Sequence, residues 1–172
     1  GSGKTKVLTT RIANLIAKGI PSYNILAITF TNKAAHEMKE RLEKLVPDNQ
    51  AFVGTFHSFG VRIIRENAPL LNLDRNFSIL DSDDVVSIIK KILKDNGYDP
   101  KNNPPSFIRN RISSFKNDML TDDEINNTAR TPQDKVAVEV YYQYMEVLQK
   151  NNSVDFDDLL RLPVKLFTEH KD

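Results

Sequence analysis

The chain of 172 residues contains no cysteine, which excludes a disulfide framework and thiolate metal sites and agrees with a reducing compartment. Its three histidines, His36, His57 and His170, show no metal-ligand spacing, so the only metal expected is Mg2+ arriving with a nucleotide. No apolar run approaches the length of a membrane span, and nothing at the N-terminus resembles a signal peptide. The expected location is therefore cytoplasmic, with no membrane partner. Internal repeats and low-complexity tracts are also missing. With 40% apolar residues the chain is long enough to bury a core, as one domain or as a domain with an insertion.

The charge is unevenly spread. Residues 1 to 66 carry ten Lys/Arg against five Asp/Glu, and residues 67 to 172 carry fourteen against eighteen, so a net +1 divides into +5 and −4. Phosphate-rich partners favour the first half.

That basic half opens on Gly1-Ser2-Gly3-Lys4-Thr5, the closing part of a G-x-x-x-x-G-K-[ST] phosphate loop. Gly1, Ser2 and Gly3 let backbone N–H groups close on phosphate oxygens, Lys4 offers a charge to the β/γ-phosphates, and Thr5 offers a hydroxyl to Mg2+. The loop's first residue and the strand that aims it are expected before Gly1. A bare Gly-Ser-Gly linker would not be expected to run on as Lys-Thr into an amphipathic helix.

In that helix Val7, Leu8, Ile12, Leu15 and Ile16 share a stripe, and Gly19 and Pro21 stop it. Ile25 to Ile28 suits a parallel strand buried on both faces. Thr31 or Asn32 then caps a helix whose inner stripe is Ala35, Met38, Leu42 and Leu45. Ala51 to Thr55 reads as a second strand and Ser58 to Asn67 as a third helix. Residues 1–66 are thus expected to be part of an open, parallel α/β sheet, with Gly1 to Thr5, Thr29 to Asn32 and Thr55 to Ser58 at the carboxyl ends of strands, where such sheets bind ligands.

From residue 67 the pattern is helix after helix. Asp81 caps a helix carrying Val85, Ile88, Ile89, Ile92 and Leu93, a second helix covers residues 106–118, and Thr121-x-x-Glu124 is a capping box. A long helix runs over 132–150, and Val154 to Leu160 opens a last one that Pro163 kinks. Residues 67–152 therefore read as an all-helical inserted subdomain, and 153–172 as the return. Asp155, Asp157 and Asp158 suit a helix N-terminus better than a metal site. Between Lys101 and Asn117, Lys101, Arg109, Arg111 and Lys116 stand without an acid, with Phe107 and Phe115 interleaved. This segment either touches duplex phosphates, through Arg109 and Arg111, or is an ordinary basic face with its phenylalanines in the core.

Taken in order, Gly1 to Thr5, Ala27-Ile28-Thr29-Phe30-Thr31-Asn32-Lys33-Ala34-Ala35, Gly54-Thr55-Phe56-His57-Ser58-Phe59 and Asp155-Phe156-Asp157-Asp158-Leu159 resemble the UvrD/PcrA/Rep-type superfamily 1 DNA helicases. Asn76 to Asp81 also looks like that family's inserted helical subdomain. The resemblance covers essentially the whole chain. It implies a P-loop NTPase of RecA-like fold, truncated before its Walker B strand, from an enzyme that uses ATP and Mg2+ to move 3′ to 5′ along single-stranded DNA. Single-stranded/duplex junctions and repair or replication proteins are the implied partners.

The same resemblance places Lys6 near the nucleotide, and Thr29, Phe30, Thr31, Asn32 and Lys33 on the DNA track with Phe30 stacking on a base. Thr55, Phe56, His57 and Ser58 form the next DNA-contacting block. The fragment alone is expected to be monomeric and inactive. Two other parents remain open: a helicase-nuclease subunit of the same superfamily, and a non-catalytic DNA-binding or docking module.

Overall fold

A computed structural model describes residues 2–169, with the backbone alone for Ser2. It divides the chain into two compact units, residues 1–59 and 60–172.

In the first unit, α1 (Ser2–Ala17) precedes β1 (Leu26–Thr29), α2 (Asn32–Leu45) and β2 (Phe52–Thr55). Gly19, at φ +100°, closes α1: the Ile20 N–H reaches back to the Leu15 carbonyl and the Gly19 N–H to that of Ile16. The strands pair in parallel from Leu26 opposite Phe52 to Thr29 opposite Thr55, and α2 is the crossover that a parallel pair requires. Ile25, Ala27, Ala51 and Val53 face Ile12, Leu15 and Ile16 of α1 and Met38 and Leu42 of α2.

The strand is less buried than its apolar run suggested. Alternation turns Leu26 and Ile28 away from α1 and α2, and Leu26 stays 49% exposed. Phe52, on that same side, meets Phe59 edge-on at 5.7 Å. The inner stripe of α2 also ends one turn early, because Leu45 is its last residue and is exposed.

The chain continues as α3 (Phe56–Glu66), β3 (Ser78–Leu80), α4 (Ser82–Asp95), α5 (Pro105–Asn117), α6 (Asp122–Asn127), α7 (Pro132–Lys150), β4 (Ser153–Asp155) and α8 (Asp158–Glu169). The larger core of the second unit joins Ile89 and Leu93 of α4, Ile108, Ile112 and Phe115 of α5, and Val140, Tyr144 and Leu148 of α7. A smaller one gathers Ile64, Phe77, Val154, Leu159 and Leu162. Three capping boxes begin α4, α6 and α7: Asp81 with Asp84, Thr121 with Glu124, and Thr131 with Asp134.

Two expectations for this region are corrected. Ser78 to Leu80 is a strand, so residues 67–152 are not all helical; it pairs in parallel with Ser153 to Asp155, which is also strand, and the last helix starts only at Asp158. Three-residue strands are too short to leave an alternation in the sequence, and their partners lie far apart along the chain.

The helix α8 runs through Pro163. Proline has no N–H, so the carbonyl four residues earlier, that of Leu159, loses its helical partner. At that carbonyl sits Gly60 of α3: a Cβ built there would lie 1.9 Å from the Leu159 oxygen, so only glycine allows the approach.

Candidate nucleotide and nucleic-acid site

The carboxyl ends of β1 and β2 lie side by side, and each leads into a helix. After β1, the Thr29 hydroxyl donates to the Thr31 carbonyl at 2.9 Å, and the Thr31 hydroxyl accepts the Ala34 N–H at 3.1 Å, making Thr31 rather than Asn32 the N-cap of α2. After β2 there is no loop at all. Thr55 accepts the Ser58 N–H at 3.2 Å while Ser58 Oγ accepts the Thr55 N–H at 2.8 Å, a reciprocal cap that starts α3 at Phe56, two residues before the position expected from the sequence.

This edge favours anions and flat apolar groups. Neither α2 nor α3 has an acid in its first turn, so two helix N-termini are left uncompensated, with Asn32 and Lys33 exposed on the first. Phe30 is 92% exposed and joins no hydrophobic core among the described residues. Its ring centroid lies 6.0 Å from that of Phe56, itself 49% exposed, at a tilt of 51°. Thr55 is buried and spent on the cap, and His57 is half-buried in the first turn of α3.

The phosphate-loop residues occupy the start of α1; Gly1 lies outside the described residues. Around Gly3 there is open space, Lys4 is exposed, and the Thr5 carbonyl accepts the hydroxyl of buried Thr9 at 2.6 Å. Among the described residues Lys4 has no ion-pair partner, so its charge and the first-turn N–H groups fit phosphate oxygens. Lys6 lines a depression of about 330 Å3 with Thr10, Arg41 and Lys44. No hydrogen bond or ring contact among the described residues links Lys4, Thr5 or Lys6 to the Phe30–Phe56 edge.

The basic segment of α5 is largely engaged within the protein. Arg109 donates to Ser82 Oγ, and Arg111 pairs with Asp134 while lying 5.5 Å over the Phe107 ring. The Thr131 backbone N–H, ahead of the Arg111 guanidinium, holds the Asp134 carboxyl below its usual range. Lys116 leaves the basic face entirely: it is buried, with Nζ 2.6 Å from Asp155 and 3.1 Å from Asp158.

Around Lys116 stands a network that the sequence reading missed. The Tyr144 hydroxyl donates to Asp155 at 2.6 Å, Arg161 pairs with Asp158 at 2.9 Å, and Asp155 and Asp158 each accept the other's backbone N–H, which is the helix-capping role expected of them. Burial, then the neighbouring Asp158, pushes the Asp155 carboxyl up. Burial acts on Asp158 in the same sense, but Lys116 and Arg161 outweigh it and hold its carboxyl low. The signal was present in the spacing, because Lys116 falls on the stripe of Ile108, Ile112 and Phe115 that faces the core.

Parallel strands whose ends feed acid-free helix N-termini, flanked by exposed lysines and phenylalanines, form the kind of strand edge at which α/β proteins bind ligands. The comparison with known proteins narrows the class. The UvrD/REP helicase N-terminal domain matches residues 1–172, and the chain belongs to this family, whose domain has a RecA-like α/β fold. The chain is 49% identical over 170 residues to the ATP-dependent DNA helicase PcrA of Bacillus subtilis (strain 168). It is 44% identical over 170 residues to proteins of the same name from Staphylococcus aureus (strain Mu50 / ATCC 700699) and Staphylococcus epidermidis. Each alignment covers 97% of this chain and 23% of the relative, so the chain spans under a quarter of their length.

Proposed function

We propose that the chain is the opening part of an ATP-dependent DNA helicase that moves 3′ to 5′ along single-stranded DNA, in repair or replication. Residues 1–66 belong to the first motor domain, 67–152 to its inserted subdomain and 153–172 to the return. The observation that carries this reading is the exposed Phe30 ring beside Phe56 at the carboxyl ends of two parallel strands. A base stacks on such a surface, while the acid-free starts of α2 and α3, with Thr31, Asn32, Lys33, His57 and Ser58, receive the flanking phosphates.

On α1, Lys4 holds the β/γ-phosphates, Thr5 turns its hydroxyl to Mg2+, and Lys6 lies near the nucleotide. When bound, ATP with Mg2+ supplies the phosphoryl transfer that drives movement. This chain's residues bind and orient; a stabilising arginine finger, worth about 10³ to 10⁵ in rate, is not among them. The 172 residues alone therefore hold nucleotide weakly and do not unwind DNA. On the inserted subdomain, Arg109 and Arg111 face duplex phosphates at a junction, with Arg111 exchanging Asp134 for DNA.

The test is an anisotropy titration of labelled oligothymidylate with the chain and with its Phe30→Ala variant. Stacking predicts a loss of roughly 1–3 kcal/mol. Equal affinity of the two proteins would remove Phe30 from the track and the reading with it.

A further inference from the structure

The second unit has its own parallel pair, and a cavity of about 350 Å3 opens where that pair ends, at Leu80 and Asp155. We propose that this cavity is a docking pocket for a basic side chain, arginine or lysine, carried on a peptide of a partner protein.

The argument rests on which charges in the pocket are spent. Three aspartates and one arginine line it. Asp155 is neutralised by Lys116 beneath the floor, while Arg109, hydrogen-bonded to the neutral Ser82 Oγ, keeps its charge and offsets one aspartate. The Asp81 carboxylate accepts only the Asp84 backbone N–H, which leaves its charge uncancelled. Asp157 is half-buried, and its carboxylate has no hydrogen-bond or ion-pair partner among the described residues. The pocket therefore presents an excess of negative charge, which the exposed Asp83 and Asp84 on the first turn of α4 reinforce.

The shape and the apolar surface select the kind of cation. Among the described residues no group of three His, Cys, Asp or Glu could hold a metal ion, so an inorganic guest has no ligand set. Val85 and Ile112 form apolar wall, and Phe156, 55% exposed, stands beside Asp157. A long aliphatic stem ending in a guanidinium or ammonium matches that surface: the stem lies on Val85, Ile112 and the Phe156 ring, and the head reaches Asp157. A nucleic-acid backbone is repelled by the same carboxylates. Apart from Arg109, which the proposed function turns to duplex phosphates, the pocket shares no residue with the proposed DNA contacts, and none of its residues lies on α1, β1 or β2.

The test titrates the chain into a fluorescein-labelled peptide, Gly-Ala-Phe-Arg-Lys-Ala-Gly, with the same peptide carrying two glutamates in place of Arg-Lys as control. Saturable, salt-sensitive binding of the basic peptide alone is expected, weakened about tenfold by Asp157→Asn and retained by Asp157→Glu, which keeps the charge. Phe30→Ala leaves it unchanged, which separates this pocket from the DNA reading. Binding indifferent to Asp157→Asn, absence of saturation, or displacement of the peptide by oligothymidylate in the Phe30→Ala protein would each overturn the proposal; the last would assign the pocket to nucleic acid.

Discussion

Gly60 meets Leu159 at the one carbonyl of α8 that Pro163 deprives of its helical N–H, and a methyl group at Gly60 would lie 1.9 Å from that oxygen. The two helices are thus joined at a point where one lacks a side chain and the other lacks a hydrogen bond. Gly60→Ala is expected to force them apart and to cost about 1–3 kcal/mol, as overpacking does. A urea titration reads this as a lower midpoint at unchanged slope. Gly3→Ala, in open space, should not lower the midpoint; equal losses at the two positions would refute the steric account.

Lys116 makes a second, electrostatic demand on the same unit. Lys116→Ala strands Asp155 in the interior and leaves Asp158 with Arg161 alone, and removal of one partner from a buried ion pair costs about 3–5 kcal/mol. Adding Asp155→Asn should recover part of that loss by removing one unpaired charge. A double mutant no more stable than Lys116→Ala would show that the network contributes packing rather than charge balance.

Acid stability should depend on Asp134. Its carboxyl is held low in the folded state, so it contributes stability that is complete above its unfolded pKa, near 4, and lost as the pH falls through the folded value. Asp134→Asn is expected to be less stable at neutral pH and to lose less below about pH 4. Thermal melts across that range measure the slope; a parallel offset at every pH would argue against the linkage. Asp155 works in the opposite sense, because its raised carboxyl favours the folded state as protons bind, and it partly masks Asp158.

At the strand ends, the rings of Phe30 and Phe56 are close enough to share one base. Their alanine variants should therefore not be additive: the double variant should bind oligothymidylate little worse than the weaker single one, whereas independent stacking sites would add. The salt dependence of both should stay near that of the parent chain, since phosphate contacts, not rings, set that slope at about −0.7 per contact.

On α1, Lys4→Met should weaken binding of a fluorescent ATP analogue about tenfold or more, the scale of a charge-assisted hydrogen bond, without altering the melt, because Lys4 is exposed. Unchanged affinity would move the phosphates away from Lys4.

Much of this was legible from short-range pattern. Helices announce themselves through period and caps, so Asp81, Thr121 and the stripes of α2 and α4 were visible, and the order of blocks pointed to the family that the comparison established. What escaped was set by distant partners. Ser78 to Leu80 is a strand only because Ser153 to Asp155 lies beside it, and Lys116 is internal only because two aspartates of β4 and α8 await it. Phe30 shows the limit from the other side: an aromatic at a strand end reads by default as core, and only the family resemblance put it on the surface before its exposure was known.

The pairing of β3 with β4 also has a topological meaning. Two strands of three residues each clasp the chain at the entry and exit of the block that holds α4 to α7, so that block is a closed excursion from the sheet. The entropy of closing such an excursion rises only about 0.6 kcal/mol for each doubling of its length. Length therefore constrains the helical block little, but any block grafted at these two seams must still supply the buried partners that Lys116 and Tyr144 give to Asp155 and Asp158.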